Sequence, residues 1–177
     1  MKIVIETERL FIREIVAADI DRLLAIYNNA ANMKFIPHAD TDWSAAKLWA
    51  KYERARKTYS SGYGIFVAEL KTGTIVGEAG FFDSFQDGEH LELGYILDNA
   101  FWRKGYGTEI CMALIRYGFQ TLGVAKLTSR MFAENMASVK LAEKCGMKPI
   151  AFGKTEEGEN YCAYEICAEE FGKQSRK

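Results

Sequence analysis

The 177-residue chain has no excess of either charge: 23 lysines and arginines stand against 24 aspartates and glutamates, a formal net charge of −1. A protein that binds nucleic acid by neutralising phosphates needs a basic surplus, so that class is excluded. A local basic patch for one small polyanion stays open. Histidine occurs twice and cysteine four times (Cys111, Cys145, Cys162, Cys167), with no Cys-x-x-Cys pair. Such a set is poor in zinc ligands, and no metal is expected. Free, mostly buried thiols in a reducing compartment are expected instead. No apolar run reaches the length of a membrane span, and the opening Met1-Lys2-Ile3-Val4-Ile5-Glu6 is charged too early for a secretory signal. A cytoplasmic protein with no membrane association is expected. Repeats, linkers and low-complexity stretches are missing as well.

Apolar residues make up 49% of the chain and aromatics 13%, which suits an enzyme-like globular domain. The length fits one domain, expected over residues 1–172, with 173–177 as a tail. The segment Leu10 to Val16 reads as a strand and Asp19 as the entry to a helix, with Leu23, Leu24 and Tyr27 at helical spacing up to Asn28-Asn29. Asn32 to Asp42 reads as a loop carrying Phe35, Ile36, Pro37 and His38. A second helix is expected from Ser44 to about Tyr59, with Asp42 or Ser44 as its cap and Lys47, Lys51, Arg54 and Lys57 as a solvated basic face. Gly64–Leu70 and Ile75–Phe82 read as strands joined by a glycine hairpin at Gly73, and Asp87-Gly88 marks the next hairpin. Glu89–Leu97 is the next strand, and the long helix that follows from Gly105 stops at Gly123. Beyond it come a strand over Ala125–Ala133, a helix capped by Asn135 and stopped at Gly146, and a pair of strands over Met147–Gly153 and Asn160–Ala168. The class is α+β, with a β-α-β-α-β second half.

One stretch concentrates the chemistry. Leu97 to Glu109 joins a strand to a helix through Arg103, Lys104, Gly105 and Gly107. The first amides of a helix lack intrahelical partners and carry partial positive charge. Glycines let an anion approach them, and two basic side chains add to the attraction. A tight connection that binds nothing has the same residues. The Gly-x-x-x-x-Gly-Lys-Ser/Thr pattern of a P-loop is absent, and Ile110 stands where a dinucleotide fingerprint needs its third glycine.

Three segments in order carry a resemblance. Glu6-Thr7-Glu8-Arg9-Leu10-Phe11-Ile12-Arg13 opens the chain. Gly94-Tyr95-Ile96-Leu97 leads into Trp102-Arg103-Lys104-Gly105-Tyr106-Gly107-Thr108-Glu109. Asn135-Met136-Ala137-Ser138 leads into Leu141-Ala142-Glu143-Lys144-Cys145-Gly146-Met147. Together they resemble the GNAT superfamily of N-acetyltransferases, and within it the ribosomal-protein N-terminal acetyltransferase (RimJ/RimL-like) branch, over nearly the whole chain. The resemblance implies the acyl-CoA N-acyltransferase fold: a bent, mostly antiparallel sheet of about seven strands, splayed at the cofactor site, with about four helices. It implies acetyl-CoA as co-substrate, its pantetheine arm along Tyr95, Ile96 and Leu97 and its diphosphate on the amides of Arg103, Lys104, Gly105, Tyr106, Gly107 and Thr108. Asn135 would bond the pantetheine arm. Trp102 stands where the wider family commonly has Gln or Arg.

For the reaction, Glu92 is the expected base, acting through a water, with His90 on the same strand face as the second candidate. The oxyanion donor would be a backbone N–H near Leu97. Ala142 replaces a tyrosine that many members use as acid, and Ser138 matches the serine that the branch uses. Salt bridging for Glu92 and plain helix-end bonding for Ser138 are the structural alternatives. The implied acceptor is a protein or peptide N-terminal α-amine. A small-amine or antibiotic acceptor is the alternative, as is a non-catalytic acyl-CoA sensor. Phe35, Trp43, Tyr161 and Tyr164 are candidate walls of the acceptor pocket. A peptide acceptor implies an open groove with acidic rims, and a small amine a closed aromatic pocket. Monomer and homodimer are both compatible with these features.

Overall fold

The computed structural model describes residues 2–36, 42–87 and 89–174. The expectations that involve Pro37, His38, Gly88 and the last three residues of the tail therefore lie outside the described residues. The strand expected from Leu10 is the second arm of a hairpin, and the segment from Glu6 holds its turn. β1 (Ile3–Glu6) and β2 (Leu10–Arg13) pair antiparallel, Glu6 opposite Phe11. Thr7 makes the turn: its N–H donates to the Leu10 carbonyl at 2.9 Å, and its hydroxyl accepts the Leu10 N–H at 2.9 Å. A threonine that closes a turn with its own side chain ends a strand pattern that hydrophobicity alone continues.

The remaining strands are β3 (Ile65–Leu70), β4 (Ile75–Phe82), β5 (His90–Leu97), β6 (Lys126–Phe132), β7 (Lys148–Lys154) and β8 (Asn160–Cys167). They form one mostly antiparallel sheet in the order β1-β2-β3-β4-β5-β6-β8-β7. β5 and β6 run parallel over three pairs, His90–Lys126, Leu91–Leu127 and Glu92–Thr128, while β5 continues to Leu97. The helices are α1 (Ile20–Tyr27), α2 (Ala30–Met33), α3 (Ala45–Ala55), α4 (Tyr106–Tyr117), α5 (Met136–Lys144) and α6 (Ala168–Gln174). The architecture is the expected one, with one strand and two helices more. Asn29, where α1 was expected to stop, caps α2 by accepting the Ala31 N–H at 3.0 Å. Ala168, expected as the last residue of a strand, begins α6.

The chain packs as two compact units, Met1–Phe81 with Tyr95–Ile110, and Phe82–Gly94 with Cys111–Lys177. In the first, α1 and α3 bring Leu23, Ile26, Tyr27, Leu48 and Tyr52 against Ile65 and Val67 of β3. Ser44 caps α3, accepting the Lys47 N–H at 3.2 Å. Beneath the helices Arg13 is 4% exposed, with both terminal nitrogens on Asp19 at 2.8 Å and Nε on Glu69. Asp19 also accepts the Val16 N–H at 2.8 Å, so one carboxylate fixes both the arginine and the entry to α1.

In the second unit β6 and β8 pair along seven residues, and Leu127 and Ile166 are fully buried. β7 lies at the sheet edge, where Pro149 and a register shift before Ala151 are tolerated. All four cysteines are free thiols, three of them buried, as expected. Among the described residues no helix is long and apolar enough to cross a membrane.

Removing Asp19 takes both terminal-nitrogen bonds from a buried guanidinium and leaves Glu69 as its only carboxylate, which costs about 1–3 kcal/mol. Asp19→Ala is expected to lower unfolding free energy by that amount in urea titration, and a change below about 1 kcal/mol would contradict the account.

Candidate functional site

In the first unit, β5 ends at Leu97 and hands the chain to a turn built on a capping carboxylate. The Asp98 N–H donates to the Val76 carbonyl at 2.9 Å, and the Asp98 side chain accepts the Ala100 N–H at 3.1 Å. Burial raises the Asp98 carboxyl, but the Ala100 amide and the Arg22 guanidinium outweigh it and hold the group below its usual range. Asn32 adds a second brace, accepting the Asn99 N–H at 2.7 Å. After one turn of 3₁₀ helix over Asn99–Phe101, the Trp102 indole N–H returns to the Leu97 carbonyl at 2.9 Å. That bond staples the two ends of the turn and gives Trp102 a role that its position in the motif does not reveal.

The backbone then enters the left-handed region twice, at Arg103 (φ 60°) and Gly105 (φ 84°). Glycine adopts this conformation freely, and a non-glycine residue there is strained. The intrahelical ladder of α4 begins with the Glu109 N–H on the Gly105 carbonyl at 3.1 Å. Three cationic residues belong to this helix start. Arg103 and Lys104 are the expected two, Lys104 lying 5.3 Å over the Phe101 ring. The third is Arg9, from the first hairpin. Its guanidinium donates to the Lys104 carbonyl at 3.0 Å, lies 4.3 Å from the Tyr106 ring centre, and pairs with Glu109 at 2.6 Å. Glu109 in turn accepts the Thr7 hydroxyl at 2.6 Å and the Arg9 N–H at 2.9 Å. Burial pushes the Glu109 carboxyl up, but these bonds prevail and its pKa lies below the ordinary 4.5. A glycine in the left-handed region, a helix start and three cations fit a diphosphate.

In the second unit, Glu92 projects from β5 with its side chain 14% exposed. Its Oε2 accepts from Arg130 of β6 at 2.9 Å and from the Ser84 hydroxyl at 2.9 Å. Both of these bonds fall on Oε2, while among the described residues Oε1 accepts only the Arg130 Nε–H at 3.3 Å and keeps lone pairs for a further donor. His90 is engaged too, with Nδ1 2.5 Å from Asp87 and the ring against Phe85. Asn135 caps α5, its side-chain oxygen accepting the Ser138 N–H at 3.2 Å. That leaves its amide nitrogen as the group a cofactor carbonyl would use. Ser138 is half-buried at the third position of α5.

Each candidate pocket wall has a partner within its own unit. Tyr164 is a core residue, 4% exposed, with its hydroxyl on Glu143 at 3.2 Å. Tyr161 lies against Gly153, where an added Cβ would meet its ring at 2.8 Å. Phe35 stacks under Lys34 at 5.0 Å. Trp43, in the first unit, meets Tyr27 edge-on with ring centres 5.0 Å apart. Beside it is a group that the sequence reading missed: Glu78 of β4, 4% exposed, bonded to Tyr27, Lys51 and Tyr52. Its signal was a lone carboxylate within the apolar run Ile75–Phe82. Lys51, read as part of a solvated face, instead turns inward because Glu78 attracts it.

Comparison with known proteins places these features in a group. The model of the acetyltransferase (GNAT) domain matches residues 9–148. An uncharacterized N-acetyltransferase of Bacillus subtilis, YoaA, is 25% identical over 147 residues, covering 82% of both chains. Among solved structures, RimL, a ribosomal L7/L12 alpha-N-protein acetyltransferase in complex with coenzyme A, superposes with a TM-score of 0.84 at 15% identity, over 94% of this chain and 98% of that one. Spermidine N-acetyltransferase from Vibrio cholerae, in complex with CoA and spermine, gives 0.80 at 18% identity, over 92% and 97%. At these identities the two structures speak for the fold.

A carboxylate whose pKa falls on folding stabilises the native state above its unfolded value, and that stabilisation is lost as pH falls through the folded value. Glu109→Gln is expected to be less stable than the parent at pH 7, with the gap closing as pH drops below 4.5. Melting curves against pH check this, and a gap independent of pH would refute it.

Proposed function

The chain belongs to the GNAT acetyltransferase family, and on that premise we propose that it moves the acetyl group of acetyl-CoA to a primary amine by direct attack within a ternary complex. As a family member it is an acetyl-CoA-dependent N-acetyltransferase. The finer assignments are our own. Residues 1–172 act as one catalytic domain. The observation that carries the reading is the turn after β5, where Gly105 at φ 84°, the start of α4 and the Arg9 guanidinium on the Lys104 carbonyl and the Tyr106 ring come together. There the amides of Arg103 to Thr108 hold the diphosphate of acetyl-CoA. The backbone of Tyr95, Ile96 and Leu97 pairs with the pantetheine arm, and Asn135 bonds it through its amide nitrogen.

The amine lone pair attacks the thioester carbonyl, a C–N bond forms, the C–S bond breaks, and coenzyme A leaves as thiolate. Bringing both reactants into one site is the largest contribution to rate. A backbone N–H near Leu97 stabilises the developing oxyanion. Glu92 takes the ammonium proton through a water. Ser138 donates its hydroxyl hydrogen bond to the thiolate and relays it a proton from solvent water, a step of small weight because a thiolate leaves readily near neutral pH.

The first acceptor is a protein or peptide N-terminal α-amine, whose free pKa of about 7.8 asks little of a base. A small amine is the second reading, favoured by the enclosed aromatic surroundings of Glu78.

Thiol release from acetyl-CoA with N-terminal peptides, polyamines and aminoglycosides tests the proposal. Release with one acceptor class is expected, falling about 10²-fold or more in Glu92→Gln if Glu92 is the base. Full activity of Glu92→Gln would remove it from the mechanism, and silence with every acceptor would remove the proposed acceptors.

A further inference from the structure

Lys51 differs from Lys47, the other lysine of α3. Its side chain is 22% exposed, against 48% for Lys47. The ammonium lies 2.8 Å from Glu78 Oε1, bonds the Tyr27 hydroxyl, and sits 4.6 and 5.0 Å from the Tyr27 and Tyr52 ring centres. Glu78 is otherwise held by the two phenols, Tyr27 donating to Oε1 at 2.6 Å and Tyr52 donating to Oε2. Burial, reinforced by the Glu78 charge, pushes both phenols far above their usual range, so they remain donors. A carboxylate ringed by aromatic faces and hydroxyls is the environment that selects an alkylammonium group.

Two further observations point to a ligand. Trp43 closes one side against Tyr27, and its buried indole N–H has no hydrogen-bond partner among the described residues. In β4 the residue before Glu78 is Gly77, where an added Cβ would sit 2.0 Å from the Ile96 carbonyl oxygen. Ile96 also packs against the cluster that contains Tyr27 and Tyr52. The cage thus borders the strand assigned to the acyl donor. Its own cation is the tip of a flexible four-carbon side chain with access to solvent, which can leave without disturbing the backbone.

We infer that Glu78, Tyr27 and Tyr52 form a subsite for an alkylammonium group of the acceptor, distinct from the amine that is acetylated, and that Lys51 is the internal stand-in it displaces. The inference rests on the transferase reading and specifies its substrate class: acceptors that carry a second positive charge. That charge is supplied by a diamine or by a lysine side chain near a peptide N-terminus.

Steady-state kinetics on matched acceptors separate the sources. 1,5-Diaminopentane is compared with pentylamine, and a peptide with lysine at its second position with the norleucine peptide. In the parent protein the charged member of the productive pair is expected to have a KM about tenfold lower, the scale of one desolvated cation–π contact. Glu78→Gln should erase that advantage, and Tyr52→Phe should reduce it. Lys51→Met should lower the KM of the charged acceptor further. The KM for acetyl-CoA should hold in all three. An unchanged charged-to-neutral ratio in Glu78→Gln, or in Tyr52→Phe should the glutamine variant not fold, overturns the subsite and leaves the transferase standing. If no acceptor is acetylated, calorimetric titration with 1,5-diaminopentane decides. Binding lost in Glu78→Gln keeps the subsite while the acceptor reading falls, and no binding in the parent overturns the subsite.

Discussion

One carboxylate, Glu109, ties the first hairpin of the chain to a helix that begins about a hundred residues later. It accepts from the Thr7 hydroxyl, the Arg9 amide and the Arg9 guanidinium. Through Arg9 it also reaches the Lys104 carbonyl and the Tyr106 ring. The turn between β5 and α4 therefore does not rest on its own glycines alone. Its left-handed backbone at Arg103 and Gly105 is held by contacts from the opening hairpin on one side. Asp98, Arg22 and the Trp102 indole hold the other. Preorganisation of this kind is what lets backbone amides act as an anion site without ordering cost at the moment of binding.

The two embedded glutamates show how partners decide what a carboxylate can do. Glu92 has a guanidinium and a hydroxyl, both on side chains of its own unit. Glu78 has two phenols that burial keeps protonated, and one cation. A phenol cannot neutralise a carboxylate, so the countercharge to Glu78 is the Lys51 ammonium. A buried ion pair is in any case weak support for stability, since apolar residues of similar volume often do as well. That the chain keeps a charged group inside an otherwise apolar strand is best understood through what the charge attracts.

Local signals were legible. Ser44 and Asn135 as helix caps, Gly73, Gly123 and Gly146 in the left-handed region, and the glycine turn at Gly105 could be read because each depends on a few neighbouring residues. The order of strands and helices followed from them. What escaped depended on partners distant in sequence. Arg9 and Glu109 are 100 residues apart, and neither carries a local mark of the other. Lys51 lies on a helix face with three other basic residues, and only Glu78, 27 positions on, turns it inward. Trp102 reads as a motif position until its bond to Leu97 is seen. α6 was missed because the strand pattern of β8 runs into it without a proline or glycine break.

The Trp102 staple also has an optical consequence. The indole is 45% exposed, and its N–H is bonded within the turn assigned to the diphosphate. The chain's other two tryptophans, Trp43 and Trp49, pack against the α1–α3 cluster. Indole emission shifts with polarity and is quenched by nearby groups, so this turn carries its own fluorophore. A protein with Trp43 and Trp49 replaced by phenylalanine would report events at the turn in its intrinsic emission, with no label attached.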